Sequence, residues 1–236
     1  MIDPQTRAAV EAVPVQALLP PRAQSRAESL DGRAAILDAL DLGATASGDR
    51  AFVIVVNIPS TSGARDVVVP GVIRNGLFVR DAGVAPLLSA GEFGAFSVSL
   101  IGRPLPGGPV QGIDVDQSND SVVLGSGADA VMVKWQLDAV ESPAPDRLLA
   151  LAGTGITPEL RAIVRWRDAE GEGRTVLTAA DYLPGAQDGW TWAVELVRAH
   201  ARGEGVDAIS PFAELGEMTA RMHLAFAAQG DDSSLG

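Results

Sequence analysis

The stretch DQSNDSVVLGSGADAVMVKWQ, residues 116–136, sets two short apolar runs on either side of a glycine-containing turn. The runs 120–124 and 130–136 are rich in valine, and LGSGAD (124–129) supplies the residues that reverse a chain, so the stretch predicts two adjacent antiparallel strands. Side chains alternate across a strand. On the second strand Val131, Val133 and Trp135 therefore share one face, and Met132, Lys134 and Gln136 the other. Seventeen of the eighteen basic residues are arginine, and Lys134 is the only lysine in the chain.

Working outward, a strand near 110–115 precedes this pair. SPAPDRLLALAG (142–153) follows it and reads as a short helix, with Ser142 as N-cap, Pro143 at the first position and Gly153 at the end. AIVRW (162–166) and RTVLTA (174–179) read as two further strands around the turn AEGEG. LPGAQDG (183–189) reads as a linker, 190–202 and 210–228 as amphipathic helices, and the polar tail QGDDSSLG as disordered.

Upstream, residues 4–12 and 24–42 read as helical around the break Pro20-Pro21. AFVIVVNI (51–58) is a continuous β-branched run and reads as a buried strand. Residues 65–81 read as a hairpin turning at Asn75-Gly76, 84–90 as a short helix and 96–102 as a strand. The Pro- and Gly-rich segment 103–112 reads as a subdomain boundary. Segregated strands and helices give an α+β fold, with a β-rich subdomain over 1–105, a small sheet with one inserted helix over 106–182, and a helical segment over 183–236.

Composition narrows the function. The net charge of −12 repels polyanions, which argues against a nucleic-acid partner and against anionic membrane surfaces. The longest apolar run, Ala51 to Val56, is too short to span a bilayer, and the charged first residues do not form a signal peptide, so a cytoplasmic protein is expected. There is no cysteine, and the two histidines, His200 and His223, are far apart, so no metal site is expected. His223, on an apolar helix, is expected to be structural, and the tryptophans Trp135, Trp166, Trp190 and Trp192 are expected to pack rather than bind.

Three strands, a helix, two strands and a hinge is the layout of a kinase amino-terminal lobe. DQSNDSVVL (116–124), VMVKWQ (131–136), VLTAADYLPGAQDGW (176–190) and ARMHLAFA (220–227) resemble, in order and spacing, the successive motifs of maltokinase-type, aminoglycoside phosphotransferase-like kinases. VVVPGVIRNGLFVRDA (67–82) is similar to the amino-terminal cap of that family, while PRAQSRAES (21–29) replaces its Trp- and Lys-containing segment. The resemblance implies ATP with magnesium as ligand. It makes Lys134 the phosphate-contacting ammonium and Asp146, one methylene shorter than the usual Glu, its carboxylate partner. Gln117, Ser118, Asn119 and Ser121 become the phosphate-covering turn, and Ala180 and Tyr182, with Ala179 and Asp181, the hinge beside adenine. Asp120 departs from the pattern and would repel a triphosphate from that turn.

The chain ends thirteen residues after His223, and no His-Gly-Asp type catalytic loop precedes that end. Two expectations follow. The chain is a non-catalytic cap-plus-lobe module that binds a partner, itself or a nucleotide. Alternatively, it is a fragment or split half of an ATP-dependent kinase for maltose, glucosamine or a similar sugar. In either case self-association, as a dimer, or a protein partner is expected at the surface where a second lobe would dock.

Overall fold

The computed structural model describes residues 2–20, 34–59, 64–113 and 119–232. The chain divides into two compact units, Met1–Pro145 with Leu160–Tyr182, and Asp146–Glu159 with Leu183–Gly236.

The first unit is built on strands β1 (Ala35–Ala44), β2 (Arg50–Ile58), β3 (Arg65–Arg74), β4 (Leu77–Arg80), β5 (Gly91–Phe93), β6 (Phe96–Leu100), β7 (Val110–Gly112), β8 (Asp120–Leu124), β9 (Val131–Val140), β10 (Leu160–Arg167) and β11 (Gly173–Asp181). Among the described residues they form a single antiparallel sheet in the order β1-β2-β3-β9-β11-β10-β6-β5, with β4 on β3, and β8 and then β7 on β9. Strands from before and after residue 105 share it, since β6 pairs with β10 and β3 meets β9 at Val67 and Asp138.

The unbroken apolar run of β2 is explained by burial on both faces. Ala51, Val53 and Val55 point into a core shared with Trp135, Val164 and Leu177. Phe52, Ile54 and Val56 point into a second core closed by the helices α1 (Pro4–Glu11) and α2 (Val15–Leu18). A strand covered on both sides loses the apolar–polar alternation that marks a half-exposed one. The β3–β4 hairpin turns at Asn75 and Gly76 with φ of 52° and 77°, the left-handed pair that a two-residue hairpin needs.

Residues 35–42, expected to be helical, form β1 instead. Ile36 and Leu40 are spaced like one face of a helix, but a bulge between Ile36 and Asp38 adds a residue to the strand. The bulge reverses the side-chain parity, so Ile36 enters the helix-covered core and Leu40 the sheet-enclosed one. The rest of the expected helix, 24–33, lies outside the described residues. β5, which pairs with β6 around the turn Gly94-Ala95, has too few residues to show a period. The short helix expected at 84–90 is a 3-10 turn over Ala82–Leu87, with Asp81 as its N-cap.

The second unit contains most of α3 (Ala144–Ala150), together with α4 (Gly189–Ala201) and α5 (Ser210–Asp232). α5 continues to Asp232, four residues into the tail expected to be disordered, and runs through both Gly216 and Gly230 without ending at either. Trp192 packs against Phe212 with ring centroids 5.6 Å apart. Trp190, expected to pack, is 78% exposed, and His223, expected to be structural, is also exposed on its helix. Among the described residues no helix is long and apolar enough to cross a membrane.

Two predictions follow from the packing. A Cβ at Gly71 would stand 2.5 Å from the ring of Phe78 and 2.5 Å from the carbonyl oxygen of Val79. Gly71→Ala is therefore expected to destabilise the first unit by about 1–3 kcal/mol, read by chemical denaturation. Asp188 caps α4, and the backbone N–H and hydroxyl of Thr191 donate to its carboxylate and hold its pKa below the ordinary value. A depressed carboxylate contributes stability above its unfolded pKa of about 4 and loses it as the pH falls through the folded value. Helical circular dichroism should accordingly fall in that acid range, and Asp188→Ala should show the loss already at neutral pH.

Candidate nucleotide-facing surface

The register of β8, β9 and β11 decides which side chains gather around Lys134. Lys134 stands opposite Ser121 on one side and Thr178 on the other, and Thr178 stands opposite Ile163 of β10. The adjacent row is Val123, Met132 and Ala180. Paired residues of neighbouring strands point to the same side, so both rows share one face. On it Lys134 is exposed, Met132, Thr178 and Ala180 are half-buried, and Ser121, Val123 and Ile163 are buried. The only ammonium side chain in the protein thus rises from a row with two hydroxyl groups, next to a low apolar floor.

On the opposite face, Val131, Val133 and Trp135 are in the core, as the strand alternation predicts. Trp135 is fully buried, and its indole N–H donates to the carbonyl oxygen of Ala82 at 2.9 Å. Trp166 is also core, with its N–H 3.3 Å from Asp38 Oδ2. Both indoles satisfy their single donor in the interior.

Asp120 is Trp135's register partner and so belongs to this core-facing side, away from Lys134. Its carboxylate forms an ion pair with Arg80 at the end of β4. The repulsion expected between Asp120 and a phosphate turn is therefore relieved, because the charge is turned inward and neutralised. Sequence alone could not show this, since Arg80 is forty residues away and on another hairpin.

The other expected site residues are distributed as follows. Gln117 and Ser118 lie outside the described residues. Asn119 is half-buried in the bend just before β8. The carbonyl oxygen of Ser121 accepts from the N–H of Ile113 at 3.3 Å, closing the β7–β8 loop. Tyr182 lies just beyond β11 and donates its backbone N–H to Ala130 at 2.9 Å, so that donor is taken up within the unit. Asp146 sits in the first turn of α3, in the second unit, where a carboxylate favours the helix dipole. Ser121, Lys134 and Ala180 are thus brought together on adjacent rows. Thr178 belongs with them and went unnoticed in the sequence, although aligning the two strands would have found it.

At the end of β11, Asp181 accepts from Arg161 Nε at 2.5 Å, and the Arg161 side chain is only 8% exposed. Removing one member of such a pair strands the other charge. Arg161→Met is expected to cost about 2 kcal/mol or more, with Asp181→Asn restoring part of it in the double variant, measured by denaturant unfolding.

No family model matches the chain. A glucosamine kinase of Streptacidiphilus jiangxiensis is 44% identical over 128 residues, which cover 51% of this chain and 28% of that protein. A glucosamine kinase of Mycolicibacterium smegmatis is 41% identical over 128 residues, covering 50% of this chain and 30% of that one. Among solved structures, a glucosamine kinase in one crystal form superposes with a TM-score of 0.70 at 30% identity, covering 97% of this chain and 53% of its own. A glucosamine kinase in complex with glucosamine, ADP and inorganic phosphate gives 0.69 at 30% identity, covering 94% and 52%. The chain spans about half the length of these solved structures. The assignment to maltokinase-type, aminoglycoside phosphotransferase-like relatives is corrected by these matches, since the relatives that align are glucosamine kinases.

Proposed function

We propose that this chain is the nucleotide-holding portion of an ATP-dependent kinase for glucosamine or a closely similar sugar. The observation behind this reading is the exposed Lys134 in a row with Ser121 and Thr178, beside the half-buried Met132 and Ala180. An ammonium on a rigid strand can neutralise phosphate oxygens, hydroxyls can donate to them, and a shallow apolar floor one row away suits a purine. A fragment of such a kinase is favoured over a non-catalytic regulatory or self-associating module because the aligned relatives are glucosamine kinases, one of them solved with ADP. Among the described residues no three His, Asp or Glu side chains converge into a metal site. Magnesium is therefore not assigned to any of the described residues. A reaction that consumes ATP fits a cytoplasmic protein.

The helices α4 and α5 expose Trp190, Val197, Phe212, Leu215 and Leu224. We take the remaining half of a glucosamine-kinase fold to be what covers them, with a second copy of this chain as the competing occupant. Sedimentation of the chain alone, and with a separately expressed second half, distinguishes the two.

Calorimetry should show saturable ATP binding, weakened roughly tenfold or more by Lys134→Ala without loss of thermal stability, because the side chain is exposed. A chimera in which this chain replaces the corresponding part of the Streptacidiphilus jiangxiensis enzyme should phosphorylate glucosamine, and its Lys134→Ala version should not. A folded chimera that binds glucosamine and ATP but never transfers phosphate would sink the reading.

A further inference from the structure

We propose that Arg80 and Asp120 are positioning residues for the nucleotide phosphates, forming a buried ionic latch that holds the Ser121–Lys134 row in register from the opposite face of the sheet. This inference rests on the nucleotide reading of Lys134.

Asp120 opens β8, and its register partner on β9 is Trp135. The segment that ends the β3–β4 hairpin and continues beyond it grips both members of this rung. Arg80 forms its ion pair with Asp120, and Ala82, two residues on, accepts the indole N–H of Trp135. The gripping segment is itself fixed. Asp81 donates its backbone N–H to Pro70 at 3.0 Å, and its side chain accepts from the N–H of Gly83 at 2.9 Å. Gly83 is pressed so close to β7 that a Cβ there would stand 2.9 Å from Val110. One short stretch, 80–83, thus ties together β3, β7, β8 and β9.

The next rung is Ser121 with Lys134, one residue along each strand, or about 3.3 Å, and on the other face. A rung clamped on one face leaves little freedom to the neighbouring rung of the same two strands. The clamp is ionic where an apolar pair would serve stability as well. Arg80 and Asp120 are mostly buried, and Arg80 Nη2 and Asp120 Oδ2 make no aligned hydrogen bond among the described residues. Desolvating two charges gains little net stability, and such pairs are retained in some proteins because they enforce a unique geometry. Here the pair also keeps the Asp120 charge compensated, one residue from the position where a polyphosphate would meet Ser121.

The latch therefore acts on phosphate recognition and not on the purine. Arg80→Ala is expected to weaken ATP binding roughly tenfold or more while leaving adenosine affinity within about twofold, both measured on the full chain by calorimetry or ligand-observed NMR. Arg80→Lys, which preserves the charge, should recover most of the ATP affinity. Asp120→Asn, which preserves shape, tests the same latch if the alanine variant fails to fold, and should weaken ATP and spare adenosine in the same way. Equal losses of ATP and adenosine would mark a merely structural pair and overturn the inference. Wild-type ATP affinity in both Arg80→Ala and Asp120→Asn, alongside a binding loss in Lys134→Ala, would overturn it and leave the nucleotide reading standing. No ATP binding by the wild-type chain would overturn both.

Discussion

The buried indole of Trp135 fixes the strand on which the candidate chemistry depends. It is fully buried in the sheet-enclosed core and satisfies its single donor on Ala82, so β9 cannot rotate or slip by a residue without exposing a large apolar group and stranding a polar one. Because side chains alternate, holding Trp135 inward holds Lys134 outward. The position of the ammonium is a consequence of core packing, and no contact made by Lys134 itself is required to produce it.

β9 does more than present a lysine. Its first half lies between β8 and β11. Beyond Trp135 it leaves β11, meets β3 at Asp138, and rejoins β11 at Val140. Leu137 enters the helix-covered core, whereas Val131, Val133 and Trp135 enter the other. Arg65 then binds Asp138 through two nitrogens, at 3.0 Å from Nε to Oδ1 and 2.7 Å from Nη2 to Oδ2. β9 thus joins β1–β3 to the strands built after residue 105, while β6 is joined to them through β10. A disturbance on the helix-covered side can in consequence reach the row that holds Ser121, Lys134 and Thr178.

Much of this organisation was legible in the amino-acid order. β2, the Asn75-Gly76 hairpin, β8, β9, β10, β11 and the two long helices announce themselves through valine-rich runs, a left-handed turn pair and apolar periodicity. The α+β class follows from their succession. β1 was not legible, because its bulge mimics helical spacing among alanines and leucines, and β5 was too short to show any period. In the site, the facing of Lys134 was legible from alternation alone. The inward turn of Asp120 and the tie of Tyr182 to Ala130 were not. The motifs pointed toward sugar kinases but named the wrong group of them, since short runs of strand and helix residues carry little information about a particular sugar.

The sequence by itself determined which residues could form strands, which face of β9 would be apolar, and that a single lysine would stand on the other face. These are local properties, set by steric preference and by a period of two along the chain. Only the tertiary structure decided what stands beside that lysine. Register between strands far apart in sequence brought Ser121 and Thr178 to its flanks, and long-range pairing of Arg80 with Asp120 withdrew a carboxylate that the family resemblance had placed beside a phosphate-covering turn. Neither outcome is encoded within any one segment, because each depends on which partner strand wins the competition to cover a buried face.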